Sequence, residues 1–241
     1  IAGGAETMSM INMGGWRMVP NPDMAREHPK WFLNMGLTSE MVSKEYKVSR
    51  QAQDEFAVKS VNKALAAIKA GKFKDEIVPI TIKENYFDNG SMEKRERVFD
   101  TDEGPRPGTT IEGLSKLKPA FAANGNSTAG NSSQMSDGAG FVLVVSEKAL
   151  KQYDLTPIAR LVDYQVAGVE PYKMGIGPVA AIPKVLEHSG LSLRDIDGIE
   201  LNEAFASQAI AVMNELNITP DIVNVNGGAI ALGHPLGATG A

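Results

Sequence analysis

Asn224-Val225-Asn226-Gly227-Gly228-Ala229-Ile230-Ala231-Leu232-Gly233-His234-Pro235-Leu236-Gly237-Ala238-Thr239-Gly240 is the stretch on which the reading of this sequence turns. Ile222 to Val225 is a short apolar strand candidate, and it runs straight into this glycine-rich loop. Glycine lets backbone turn with positive φ and approach other groups closely. His234 therefore lies among exposed backbone, either facing solvent in a structural role or facing a cleft. A phosphate cradle is a weak rival, because the spacing is not that of a Walker motif and no Lys follows.

Working outward, Phe205, Ala209, Val212 and Leu216 line one face of a helix, and Ala206, Ile210 and Met213 line a second. A helix apolar on two faces is buried nearly all round. Ile199-Glu200-Leu201 before it reads as a short strand, and Pro178 to His188 as a helix that Pro183 kinks or starts. This alternation of strand and helix predicts a layered α/β fold. Further upstream, Ile158 to Val166 is another strand candidate, and Phe141 to Val145 is an apolar run suited to a strand covered on both faces. Between them Ser146 to Asp154 forms a polar helix at the expected domain boundary.

The first half is less regular. Residues 6–48 predict loops and short helices packed over a site or a partner. Ser49 reads as the N-cap of a helix whose Ala57, Val61, Ala64 and Ile68 share a face, with Gly71 as its stop. Glu76 to Ile82 reads as a strand held at a sheet edge by Pro79. Residues 83–110 are polar and rich in turn formers, and Glu93 to Arg97 reads as a solvated face.

Composition bounds the function. The 241 residues (25.8 kDa, net charge −5, 43% hydrophobic) suffice for one substantial core or two modest ones. The mild, dispersed acidity leaves no footprint for nucleic acid or an anionic membrane. No apolar run approaches the roughly 18–20 residues that span a bilayer. Cysteine is absent, which excludes disulfides, thiolate metal sites and a cysteine nucleophile within these residues. The histidines are His28, His188 and His234. The chain starts at Ile1, as if inside a strand, and stops at Ala241, where a helix would begin.

Two further segments carry chemistry. Asn202-Glu203-Ala204-Phe205-Ala206 lies at a strand-to-helix junction. There Asn202 is either a simple helix cap or an amide that holds a water or a carbonyl oxygen. Thr128 to Gly140 sets small polar residues before the run at 141–145, as a slot for a thin ligand or as a turn.

Together these segments closely resemble the thiolase family, as do Ala2 to Ser9, Phe73-Lys74-Asp75-Glu76-Ile77-Val78-Pro79 and Met174-Gly175-Ile176-Gly177-Pro178. Thr7 stands where Ser is commoner. Ketoacyl synthases share a Gly-His loop, but Pro235 and Asn202 favour thiolase. The resemblance implies the thiolase fold, a layered αβαβα arrangement of duplicated halves with an inserted loop domain, here incomplete. Residues 1–4 and 131–150 would be remnants of the N-terminal half, 5–130 the loop domain, and 151–241 the start of the C-terminal half.

The implied chemistry is cleavage of 3-ketoacyl-CoA by coenzyme A to acetyl-CoA and a shortened acyl-CoA, or the reverse Claisen condensation, through a cysteine acyl-enzyme. A thiol attacks only as thiolate, so it needs a basic neighbour, and His234 matches that position. With a water held by Asn202, His234 also matches an oxyanion hole, where one lost donor typically costs about 10²–10³ in rate. Ser133 matches a position near the pantetheine arm. Arg106, Leu117, Ala120, Phe121 and Ala129 match positions that contact the nucleotide or pantetheine. Met35, Met174 and Phe205 would wall the acyl and pantetheine tunnel.

Gly113 departs from a serine used for adenine contact. Asn34 stands where biosynthetic members often carry His, which tilts the reading towards a degradative enzyme of β-oxidation. The resemblance implies no cofactor beyond coenzyme A as substrate, no metal, a homodimer or homotetramer, and a cytoplasmic location. It also implies that one catalytic cysteine lies upstream of Ile1 and the other downstream of Ala241, so the 241 residues alone are expected to be inactive. The rival is a non-catalytic coenzyme A or lipid-binding relative on the same fold.

Overall fold

The computed structural model describes all residues from Ile1 to Ala241. Strand β1 (Ala2–Thr7) is followed by helices α1 (Pro22–Glu27), α2 (Met35–Glu45) and α3 (Arg50–Lys69). Strands β2 (Ile80–Asp88) and β3 (Ser91–Phe99) precede α4 (Ile111–Ser115), β4 (Asp137–Val142) and α5 (Glu147–Tyr153). Helices α6 (Gly177–Ser189), α7 (Ala206–Leu216) and α8 (Ala229–Leu232) complete the chain.

The core forms where α3, α7 and α8 meet. Ser49 caps α3 as its pattern predicts, its hydroxyl accepting the Ala52 N–H at 3.1 Å. One face of α3 buries Ala57, Val61, Ala64 and Ala67. These small side chains let α8 and its loop approach closely. Helix α7 is buried through Ala206, Ala209, Val212 and Met213, and packs with Leu201, Ile218 and Val223. Its two apolar faces are thus both used.

Polar groups fasten the 104–134 segment to this core. Glu40 accepts the backbone N–H groups of Asn126 and Ser127. Buried Asp54 accepts from Arg50 at 2.8 Å and from Asn131 at 2.9 Å. Arg50 also donates to the carbonyls of Leu114 and Leu117. Buried groups of this kind must be paired or they cost stability.

Five expected strands differ. Pro79 has no N–H to donate, and β2 starts after it at Ile80 rather than at Glu76. The polar 83–110 region instead contains an antiparallel hairpin, β2 on β3, turned at Asn89 (φ +46°) and Gly90 (φ +86°). That pair is the Asn-Gly turn favoured in two-residue hairpins.

The 141–145 run is not doubly covered. Strand β4 ends at Val142, and Phe141, Leu143 and Val144 are more than half exposed. Its only strand partner is β1, in register from Ala2↔Val142 to Thr7↔Asp137. Residues 158–166 form no strand, and their apolar side chains face outward. The candidates at 199–201 and 222–225 reduce to one parallel bridge, Ile199↔Val223. No helix is long and apolar enough to cross a membrane.

Candidate active site

The loop that carries His234 is anchored before it reaches the histidine. Asn224 adopts φ +44°, and its side chain pairs with Leu201 as a strand would. Its carbonyl oxygen accepts the Leu201 N–H, and its amide donates to the Leu201 carbonyl, both at 2.7 Å. The same amide reaches Glu203 at 2.8 Å. Glu203, only 2% exposed, also accepts the Ser60 hydroxyl at 2.6 Å and the Ile230 N–H at 3.2 Å. Burial pushes this carboxyl up from its ordinary value, and the Ser60, Asn224 and Ile230 donors oppose that shift. Gly228 passes directly over the carboxyl, leaving no room for a side chain.

Beyond α8, Gly233 turns the chain with φ +101° against Ser136. The following 235–241 segment lies on the glycines of β1 and β4, Gly4 meeting Gly237 and Gly138 meeting Pro235. Glu6 of β1 accepts the Gly237 N–H at 3.2 Å. The sheet is therefore a platform for the loop.

His234 is held at both ring nitrogens. Nδ1 is 2.7 Å from the Thr239 hydroxyl, which itself donates to the Pro235 carbonyl at 2.9 Å. With its proton so used, Thr239 accepts, and the neutral ring carries its proton on Nδ1. Nε2 is then a free base, 3.2 Å from the Asn202 amide nitrogen, which donates to it. Burial holds His234 below the usual histidine value, favouring this neutral form. After taking a proton, Nε2 becomes a donor beside the Asn202 amide, and the two N–H groups can face a developing oxyanion.

Asn202 is not a helix cap. Helix α7 starts later, with Phe205 at its N-cap position and no side-chain cap bond. The amide is thereby left for His234.

Both residues open onto a cleft of about 1010 Å³. Met35, Phe121, Ser133, Met174 and Phe205 line it with His234 and Asn202. Phe121 stands edge-on to Phe205, centroids 5.9 Å apart. Ser133 is fixed there by its N–H bond to the Ala204 carbonyl at 2.9 Å. Arg106, Leu117, Ala120 and Ala129 do not line the cleft; they are exposed on the 104–130 segment. Asn34 lies in the lining and also caps α2, accepting the Leu37 N–H at 2.8 Å.

Two residues of the site were not singled out from sequence. Glu203 stands inside the quoted Asn-Glu-Ala-Phe phrase, but its burial is a tertiary property. Gln208 lines the cleft on α7, 6% exposed, and its side-chain carbonyl has no partner. Its polar side chain beside Ala206 and Ala209, in a helix apolar on two faces, is the signal that marks it. No group of three or more His, Asp and Glu side chains is arranged to hold a metal ion.

The family model for the thiolase N-terminal domain matches residues 1–148, and that for the thiolase C-terminal domain matches residues 155–241. A Bacillus subtilis protein named 3-ketoacyl-CoA thiolase is 53% identical over all of this chain and 62% of its own length. An acetyl-CoA acetyltransferase of Paracoccus denitrificans is 46% identical, again over all of this chain and 62% of its own. Among solved structures, the dimeric peroxisomal thiolase of Saccharomyces cerevisiae superposes with a TM-score of 0.86 at 45% identity, covering 98% of this chain and 58% of that one. Human mitochondrial 3-ketoacyl-CoA thiolase gives 0.85 at 41% identity, covering 99% and 61%. The chain thus spans about three fifths of the curated relatives it matches.

Proposed function

These 241 residues belong to the thiolase family, and from that premise we propose that their cleft binds acyl thioesters of coenzyme A for acyl transfer. The observation that carries this reading is the Nε2 of His234 facing the Asn202 amide at an apolar cleft. In the whole protein a cysteine thiolate attacks the 3-keto carbon of a 3-ketoacyl-CoA. The C2–C3 bond breaks, and the carbanion of acetyl-CoA takes a proton from a second thiol. The thiolate of free coenzyme A then attacks the acyl-enzyme and regenerates the first cysteine.

His234 serves this sequence twice. Neutral Nε2 takes the thiol proton of the attacking cysteine, and the resulting N–H then donates to a substrate oxygen. Asn202, directly or through a water, adds the second donor. Met35, Met174, Phe121 and Phe205 wall the acyl and pantetheine arms, and Ser133 accepts or donates at a pantetheine amide. Arg106, Leu117, Ala120 and Ala129 lie outside the cleft, on the exposed path along which the nucleotide end would lie. Coenzyme A is a substrate here and no other cofactor takes part.

Asn34 and the Bacillus subtilis relative favour the degradative direction, within fatty acid β-oxidation. A homodimer or homotetramer in the cytoplasm completes the reading. Its oligomeric part is supported by the dimeric yeast structure.

The 241 residues hold no cysteine, so both thiols must come from outside them. The same fact favours binding without turnover as the behaviour of this chain by itself. Titration calorimetry of the purified chain with coenzyme A tests the binding, expected to weaken when Met174→Asp charges the cleft wall. Wild-type protein that shows no heat with millimolar coenzyme A removes the proposal. Steady turnover of acetoacetyl-CoA by the purified chain would remove the claim that the thiols lie elsewhere.

A further inference from the structure

We propose that Glu203 is the positioning residue of the site, its buried carboxyl setting Asn202 and His234 face to face. Glu203 follows Asn202 directly in the chain, so fixing its side chain fixes the backbone from which the Asn202 amide projects. It then holds three separate elements. One oxygen takes the Ser60 hydroxyl from α3 at 2.6 Å and the Ile230 N–H of α8 at 3.2 Å. The other takes the Asn224 amide at 2.8 Å. Ser60 extends the clamp by accepting the Gly228 N–H at 3.1 Å. The path from Ile230 to His234 is four residues, and Gln134 ties down its start at the Ala231 carbonyl, 3.1 Å away.

A carboxyl group is suited to this place because every neighbour is a donor. The hydroxyl, the side-chain amide and the backbone N–H together saturate it, which a buried acid requires. Gly228 supplies the room: a Cβ there would lie 2.3 Å from the Glu203 carboxyl carbon. The nearby charged groups are Lys63 on α3, which favours the ionised form, and Glu200, which is raised by its own burial and then by Glu203. Glu203 does not touch His234, and burial alone accounts for the lowered His234 value. Its action on the histidine is therefore geometric. This holds whatever the cleft binds, and its test needs no ligand.

The sign of one measurement separates positioning from charge. Removing a nearby negative charge lowers a histidine value, whereas loosening the loop exposes the ring and raises it. The His234 ring is followed by NMR titration in wild type, Glu203→Ala, Glu203→Gln and Ser60→Ala, with the line assigned from His234→Asn. Glu203→Ala is expected to move His234 upward, towards the ordinary value of about 6.5. Glu203→Gln keeps one acceptor oxygen and is expected to restore part of the shift. Val48→Ala, a core truncation between α2 and α3 at a residue that does not line the cleft, serves as the control for general loss of stability and is expected to leave His234 in place. If Glu203→Ala does not fold, Ser60→Ala decides by the same readout. A folded Glu203 or Ser60 variant with an unmoved or downward-moved His234 overturns the proposal, as does an equal upward move in Val48→Ala.

Discussion

A methyl group on Gly228 would meet the Glu203 carboxyl carbon at 2.3 Å and its oxygens at 2.5 and 2.6 Å. The Glu203 side chain is pinned by three donors, so it has no cheap direction in which to yield. Gly228→Ala is expected to lower unfolding stability by about 1–3 kcal/mol, the usual cost of overpacking, as measured by urea denaturation. Gln208 offers the opposite sign. Its carbonyl is buried without a partner, and replacement by the similarly shaped Met removes that penalty. Gln208→Met should therefore raise stability by about 1 kcal/mol in the ligand-free chain, and an unchanged or lower midpoint counts against it.

His234 gives a pH dependence of defined sign. Burial lowers its value in the folded chain, so folding favours the neutral ring. Its contribution is fully present above the unfolded value of about 6.5 and is lost as pH falls through the folded value. In His234→Gln the fall of stability between about pH 6.5 and the lower folded value should be shallower.

Elements differ in how plainly their residues announce them. Helices α3 and α7 were legible because apolar steps of three and four act locally, as does the Ser49 cap of α3. The hairpin was less so: its strands expose side chains on both faces, so no buried stripe marks them. Only Asn89-Gly90 betrays it, as a two-residue hairpin turn. The run at 141–145 misled in the other direction, since apolar character does not say whether another element covers a strand. The His234–Asn202 contact spans 32 residues of sequence and came from resemblance to a family, not from periodicity. Glu203 was quoted yet not weighed, because a saturated buried carboxyl is set by α3, Asn224 and α8 together. The hairpin packs mainly on itself, its strands meeting each other and no third strand. Replacing Asn89 and Gly90 by Ala should consequently speed hydrogen exchange across 80–99, since both turn residues hold positive φ. Protection in α3 and α7 should stay as it was. Faster exchange in those helices as well would mean that the hairpin supports the core.

At the scale of the whole molecule, surface area is the informative quantity. A compact monomer of 25.8 kDa exposes about 10,000 Å² by the usual scaling with mass. This chain exposes 16379 Å², and only 37 of its 241 residues are buried. The excess is not uniformly polar. Phe141, Leu143 and Val144 on and beyond β4, together with Leu161, Tyr164 and Val166, present apolar side chains to solvent. Exposed apolar surface on this scale marks a face that another surface covers, and an uncovered strand edge is itself a template for pairing. The net charge of −5 is too small and too dispersed to keep such faces apart. The isolated chain is therefore expected to associate as concentration rises, with light scattering giving masses well above 25.8 kDa at micromolar protein. Leu143→Lys with Val144→Lys places two like charges on one of these faces and should shift that association to higher concentration. These positions do not line the cleft, so the proposed coenzyme A binding should survive the change. A wild-type chain that stays monodisperse at its monomer mass across the range would show that these faces are self-sufficient in water.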